Sequence, residues 1–380
     1  MSFCLSRALR SASTVIVTAV AAALLAGCQT TGPNSATPGE FHWRFSTWGK
    51  PRAFSSGIDA LAEYVDRKSG GKFTISVYYG EQLGKSKRNL RAVGDGEFEM
   101  ANYCNAYHPL RTPSVSGLDL PFLPFDDLAT QRRVYDAYHA RADVRAEMAD
   151  AGVRYQFAAL LPRYELMGMG DTPQSIDGLK GKKIRALGAM GRAMRTWGAV
   201  PISLPSTGVY PALQSRYIDA AAFPYTFTFK AYKIHHIAEW YTSNLVLGAI
   251  HCPVIVNQAA YASLPEKFKK LLDDGRTIAY NAMLSAYRKQ NEQSLKLFDT
   301  RGLERIEFSS AERLEITKTA GLPHWQDWIV ETDAKGLPGR SLLMSILTEG
   351  LKDKDPVLRR GIMAMVRGDD KRPKSTARRN

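Results

Sequence analysis

The sequence predicts an α/β protein of two lobes carried behind a short export segment. Three observations predict it. Strand-like alternation and helical spacing follow one another from Phe41, and the same alternation starts afresh near Val153. The roughly 340 residues from Phe41 to the end of the 380-residue chain also exceed what one hydrophobic core usually serves.

The N-terminus sets the compartment. Arg7 and Arg10 precede an apolar, small-residue run from Ala12 to Ala26, the charged-then-greasy layout of an export signal. The run is shorter than the roughly 20 residues that span a bilayer, and no later run approaches that length. It ends in Leu24-Leu25-Ala26-Gly27-Cys28, which resembles the lipobox cleaved ahead of a cysteine that receives lipid on its sulfur and amino group. Residues 1–27 are therefore expected to leave as a signal peptide, with Cys28 anchoring a periplasmic lipoprotein to a membrane of the cell envelope. Residues 28–40, rich in Thr, Gly, Pro, Asn and Ser, are expected to be a flexible tether.

Cys104 and Cys252 remain once Cys4 leaves with the signal and Cys28 is lipidated. An oxidising compartment permits a disulfide between them, and two small buried thiols are equally compatible with the sequence. Loss of Arg7 and Arg10 reduces 51 Lys and Arg to 49, against 37 Asp and Glu, a net +12. Half of that excess sits in Leu351 to Asn380, where ten Lys and Arg face four Asp. Residues 341–380 are expected to form a basic extension, and its charged end suits anionic headgroups. Export removes nucleic acid as a partner for this charge.

The first lobe opens with Phe41, Trp43 and Phe45 alternating with polar residues, the period of a half-buried strand. Phe54, Ile58, Leu61 and Val65 follow at helical spacing, closed by Ser69-Gly70-Gly71, and Phe73 to Tyr79 alternates again. A helix is expected over Ser86 to Val93 and a third strand over Phe98 to Tyr103, after the Gly94-Asp95-Gly96 turn. Such units build a mostly parallel sheet whose ligands gather at the carboxyl ends of its strands. The same alternation returns at Val153 to Leu160, Glu165 to Met169 and Lys182 to Ala186, followed by a helix at Met190 to Gly198, and a second α/β lobe begins in this stretch. A strand broken at its centre by Pro253 is expected over Ile250 to Val256, and a long charged helix over Glu266 to Phe298.

Catalysis would need a nucleophile beside a base, ligands at metal spacing or a phosphate-cradling glycine loop. The chain has no HExxH, CxxC or GxSxG, and its one tight histidine pair, His235-His236, reads as a surface or interface feature. No enzyme activity, metal or other cofactor is expected.

Several short motifs follow one another in order: Gly80-Glu81-Gln82-Leu83-Gly84, Asp95-Gly96, Leu120-Pro121-Phe122, and Leu179 through Arg185 reading Leu-Lys-Gly-Lys-Lys-Ile-Arg. Val209-Tyr210-Pro211-Ala212-Leu213-Gln214, Ile218-Asp219 and Leu264-Pro265-Glu266 continue the series. Together, from Phe41 to about Arg305, they resemble the solute-binding subunits of tripartite ATP-independent periplasmic (TRAP) transporters, the dicarboxylate-binding-like (DctP) family. The resemblance implies a two-lobed periplasmic binding protein fold with a hinge, crossing strands and a long connecting helix. Residues 41–160 and 249–288 would form lobe I, and residues 161–248 and 289–340 lobe II. It also implies a small organic acid enclosed between the lobes and a TRAP-type membrane permease that receives it.

The family's arginine at the end of the Gly-Lys-Lys-Ile-Arg strand falls on Arg185, whose planar guanidinium offers a carboxylate two parallel donors. A second family arginine matches Arg163. The chain departs from the family where a polar side chain often meets the solute, reading Ala221-Ala222-Phe223-Pro224-Tyr225. Trp48, Tyr103, Tyr107, Phe223 and Tyr225 are thus expected to make a ring-rich pocket wall suited to an acid with an apolar body. Two other functions share parts of this reading: a sensor whose closed form docks on a receptor, and an exported hydrolase, for which no catalytic pair is found.

Overall fold

The computed structural model describes residues 39–367 except 109, 126, 205 and 355, and leaves aside the side chains at 107, 207, 310, 357 and 358. The export segment, Cys28 and the charged end of the tail lie outside the described residues. The described residues from Phe41 onward form one compact unit built on two sheets. Among the described residues no helix is long and apolar enough to cross a membrane.

The first half of the chain supplies β1 (Phe41–Ser46), α1 (Ser56–Ser69), β2 (Phe73–Tyr78), α2 (Asn89–Gly94), β3 (Met100–Asn102), α3 (Leu128–His139), α4 (Ala142–Asp150) and β4 (Val153–Ala158). Ile58, Leu61 and Val65 of α1 are buried at the predicted spacing, and the helix closes on Gly70 at φ 64°, a backbone angle that disfavours a side chain. β5 (Tyr164–Gly168), β6 (Lys183–Arg185), α5 (Gly188–Arg195), β7 (Val200–Ile202), α6 (Val209–Gln214), β8 (Ala220–Pro224), α7 (Phe227–Ala231) and β9 (Trp240–Thr242) follow. The chain then returns through β10 (Pro253–Asn257), α8 (Gln258–Ser263), α9 (Glu266–Thr300) and β11 (Glu304–Ile306). It ends in α10 (Ser310–Ile316), α11 (Leu322–Asp333), α12 (Gly339–Gly350) and α13 (Pro356–Arg367).

The strand orders are β2-β1-β3-β10-β4 in the first sheet and β11-β9-β5-β8-β6-β7 in the second. Both sheets are mixed, which corrects the mostly parallel expectation. β10 enters the first sheet antiparallel to β3 and β4, and β5 enters the second antiparallel to β8 and β9. The reason is topological: a strand arriving from the other lobe comes in from the opposite end. Pro253 does not break β10 but begins it, where its missing N–H removes no bond from the middle of the ladder.

The segments joining the sheets run side by side. Tyr164 N–H donates to the Gly248 carbonyl at 2.7 Å, and Ala159 N–H to that of Cys252 at 3.1 Å. A third connection is α9, whose 35 residues reach about 52 Å at helical rise. Its beginning packs on α1, where a side chain at Gly275 would collide with Leu61. Its end buries Phe298 among Phe223, Tyr241 and Leu303 of the second lobe. Cys104 and Cys252, 148 residues apart, form a disulfide between the loop after β3 and the segment entering β10.

The region after Ser341 is less of an extension than its charge suggests. Leu342, Leu343, Ile346 and Leu347 of α12 are buried, and Arg133 of α3 donates to the Glu349 carbonyl at 3.0 Å. In α11 the Trp325 indole donates to the Pro121 carbonyl and the Trp328 indole to Ser116 Oγ, each at 2.8 Å.

Candidate functional site

The second sheet brings two arginines to the carboxyl end of β8. β6 runs parallel to β8 with Arg185 opposite Ala221. β5 runs antiparallel with Tyr164 opposite Pro224, and Tyr225 N–H donates to the Arg163 carbonyl at 3.0 Å. Phe223 and Tyr225, two residues apart on an extended chain, share one face. Each carries a guanidinium: Arg185 lies 4.4 Å from the Phe223 ring centre, and Arg163 lies 4.9 Å from that of Tyr225. The negative ring faces attract both cations.

Arg185 is 2% exposed. Its Nε donates to the Leu204 carbonyl at 3.1 Å and its Nη1 to the Ala222 carbonyl at 2.8 Å. Phe223 is itself held by Tyr232, stacked at 5.5 Å, and by the edge of Phe229. These contacts fix the plane of the guanidinium before any ligand arrives. Arg163 is tied differently. Its Nε donates to Glu165 at 3.0 Å and its Nη2 to the Ser243 carbonyl at 2.6 Å. The fully buried Glu165 carboxylate also accepts from Thr242 Oγ1, Leu245 N–H and Val246 N–H, so its charge is well satisfied.

Arg163 and Tyr225 line a cavity of about 400 Å³ together with Asp127 and Gln131 near the start of α3 and Tyr287, Arg288 and Asn291 of α9. Burial pushes the Asp127 carboxyl up, but hydrogen bonds from the Thr130 amide and hydroxyl bring it below its ordinary value. Burial pushes the Tyr225 hydroxyl well up, against the opposing effect of Arg163. Neither Arg185 nor the Phe223 ring it lies against lines this cavity.

The loop after β1 carries Trp48, half-buried and tilted on Phe54 at 5.3 Å, and Arg52, whose Nη1 donates to the Trp48 and Lys50 carbonyls. Burial lowers the Arg52 pKa, while Tyr287, Tyr232 and Tyr79 act to raise it. A first-lobe guanidinium thus stands within electrostatic reach of a ring stacked on Phe223.

Of the sequence-predicted residues, the structure groups Arg185 with Phe223 and Arg163 with Tyr225. Tyr103 goes elsewhere: it is fully buried in the first lobe, its hydroxyl 3.5 Å from Thr112 Oγ1 and 3.7 Å from Met148 Sδ. The side chain of Tyr107 lies outside the described residues. His235 is a buried residue against Phe298, contrary to its surface reading, because the chain forms a short 3-10 turn there. Sequence reading missed Arg52, Arg288 and Asn291. Arg288-Lys289-Gln290-Asn291 looks like any solvated helix face, and nothing in its spacing marks it. Among the described residues no group of three or more His, Cys, Asp or Glu is placed to hold a metal ion.

The family model described as bacterial extracellular solute-binding protein, family 7, matches residues 47–331. A monocarboxylate 2-oxoacid-binding periplasmic protein of Nostoc sp. is 25% identical over 304 residues, covering 77% of this chain and 81% of that protein. A TRAP periplasmic solute-binding protein from Desulfovibrio salexigens, solved as an open complex, superposes with a TM-score of 0.72 at 23% identity, covering 83% of this chain and 97% of that one. A marine metagenome TRAP solute-binding protein specific for aromatic acid ligands, from an unidentified microbe and in complex with metahydroxyphenylacetate, gives 0.71 at 21% identity, covering 83% and 100%.

Proposed function

The chain belongs to family 7 of the bacterial extracellular solute-binding proteins, and on that premise we propose that it captures a small organic acid between its lobes and delivers it to a TRAP-type membrane permease. It is a binding protein and not an enzyme. The observation that carries the ligand class is the pair of guanidiniums beside β8, one over Phe223 in the strand and one over Tyr225 just past its end. Arg185, pre-oriented by two backbone carbonyls and Phe223, clamps the carboxylate, and Arg163 adds positive potential from its tether on Glu165. Tyr225, Trp48 and the rings around Phe223 supply apolar surface for the body of the acid. The names of the Nostoc and metagenome relatives, one for monocarboxylate 2-oxoacids and one for aromatic acids, support a ligand with one carboxylate and an unsaturated or aromatic body.

The protein works in the periplasm, held at a membrane through lipidated Cys28 and the tether that follows it. A thermal-shift screen over organic acids, followed by calorimetry on those that raise the melting temperature, tests the proposal, because a ligand that binds only the folded state stabilises it by mass action. A carboxylate that binds saturably at a one-to-one ratio is expected. Binding confined to neutral sugars or cations would overturn it.

A further inference from the structure

The first lobe contains a second cavity, of about 610 Å³, that shares no lining residue with the one beside Arg163. It lies along β4, the edge strand of the first sheet, between α3 and α4 on one side and α8 and α9 on the other. Arg145, Arg154, Lys269 and Arg276 line it with one carboxylate, Asp136, while Asp273 and Glu266 pair with Arg154 and Lys269 from outside the lining. The Asp136 carboxylate is already committed, since its Oδ1 accepts from Tyr155 OH at 2.8 Å, Tyr280 OH at 2.7 Å and Arg276 Nη2 at 2.9 Å.

Two buried polar groups in the cavity wall have no hydrogen-bond partner among the described residues. Arg154 lies flat on Tyr261, 3.5 Å from the ring centre, and reaches Asp273 through Nη2 at 3.4 Å, yet its buried Nη1 has no acceptor. His139 is 3% exposed and stacked on Tyr155 at 3.9 Å. Its Nε2 meets His251 Nε2 at 2.8 Å, and its Nδ1 has no partner. When His251 donates across that contact, the single proton of neutral His139 sits on Nδ1, a buried donor in a basic cavity. Leaving such donors unmet is costly, and oxygen acceptors are the groups that satisfy them.

We propose that this cavity is a second ligand site, separate from the inter-lobe cleft, which takes a small oxyanion of the phosphate or phosphomonoester class on Arg154, Lys269 and the Nδ1–H of His139. Burial drives the His139 pKa down to about 3, so the imidazole serves as a neutral donor. Arg154 brings a planar fork already oriented by Tyr261, and Lys269, ion-paired with Glu266 at 2.8 Å, brings a second positive charge. The site joins β4 to α9, the helix that runs on into the second lobe, and His139 touches His251 in the segment that returns from it.

Inorganic phosphate titrated into the purified mature protein, followed by phosphorus NMR and calorimetry, tests this. One saturable site is expected in the wild type and in Arg185→Ala, whose change lies in the other lobe. Arg154→Gln should weaken phosphate binding at least about tenfold, the loss of one charge-assisted hydrogen bond, and His139→Phe, which keeps the stack on Tyr155, should weaken it measurably. Circular dichroism confirms that each variant is folded. Absence of saturable binding, or binding abolished by Arg185→Ala and untouched by Arg154→Gln, overturns the proposal.

Discussion

The Arg185 guanidinium rests 4.4 Å from the centre of the Phe223 ring while its Nη1 holds the carbonyl of the residue before that ring. The Phe223 ring and its strand backbone thus hold the arginine from two sides. Truncating Arg185 would leave a desolvated carboxylate unpaired, which costs about 3 to 5 kcal/mol. Arg185→Ala should therefore bind the identified acid two to three orders of magnitude more weakly by calorimetry, and Arg185→Lys should recover only part, lacking the second parallel donor. Phe223→Leu, which keeps the guanidinium and removes only the ring face, should cost about 0.5 to 2 kcal/mol.

Selectivity follows from the same rings. A second carboxylate or several hydroxyls would face Phe223, Tyr225 and Trp48, and each unmet polar group costs about 1 to 3 kcal/mol. An aromatic acid or a branched keto acid should bind roughly tenfold or more tightly than succinate or malate when titrated into one preparation. The reverse order would refute this prediction and leave the family assignment intact.

The Cys104–Cys252 bridge closes a loop across 148 residues and ties β3 to the segment entering β10. Its loss should lower stability by about 2 to 5 kcal/mol. Urea unfolding of the Cys104→Ser, Cys252→Ser double variant against the oxidised wild type measures the difference. Equal midpoints would show that the bridge adds nothing to stability.

Stability should also depend on pH through three buried groups. Burial lowers His139 to about 3 and His251 well below the ordinary imidazole value. Below about pH 6.5 the unfolded chain binds protons that the native state refuses, so these two make stability fall with falling pH. Asp119 acts in the opposite sense: burial pushes it up to about 7, against the hydrogen bond from His251 N–H. Between about pH 4 and 7 its native form keeps a proton that the unfolded carboxylate has lost, so its share declines as pH rises. Asp119→Asn removes that opposing share, and its melting temperature should fall more steeply than that of the wild type from about pH 7 to 5. A flatter profile would contradict the assignment.

The proposed membrane attachment rests on Cys28. Several acyl chains at about 0.8 kcal/mol per buried methylene hold a protein firmly. Cys28→Ala should move it from the membrane fraction to unprocessed or soluble material. Wild-type protein found soluble, with an N-terminus downstream of Cys28, would remove the anchor from the account.

What the sequence determined by itself is whatever depends on local period and local motif. Alternation over Phe41 to Phe45, helical spacing from Ile58 to Val65 and the long helix after Pro265 were legible because a pattern of two or 3.6 needs no knowledge of distant residues. The family, its two-lobed fold and the candidacy of Arg163 and Arg185 were legible for a related reason, since ordered short motifs survive where overall identity has fallen. Only the tertiary structure decided which rings turn inward. Tyr103 and Phe223 look alike as aromatic residues in or just after a strand, yet one fills the first-lobe core and the other lies against Arg185. It also decided that Cys104 meets Cys252, that β5 and β10 enter their sheets antiparallel, and that Arg288 lines the cavity with Arg163 while Arg154 lines another. Each of these joins residues far apart in the chain, and such pairings are set by close packing and chain topology, which leave no trace in the spacing of neighbours.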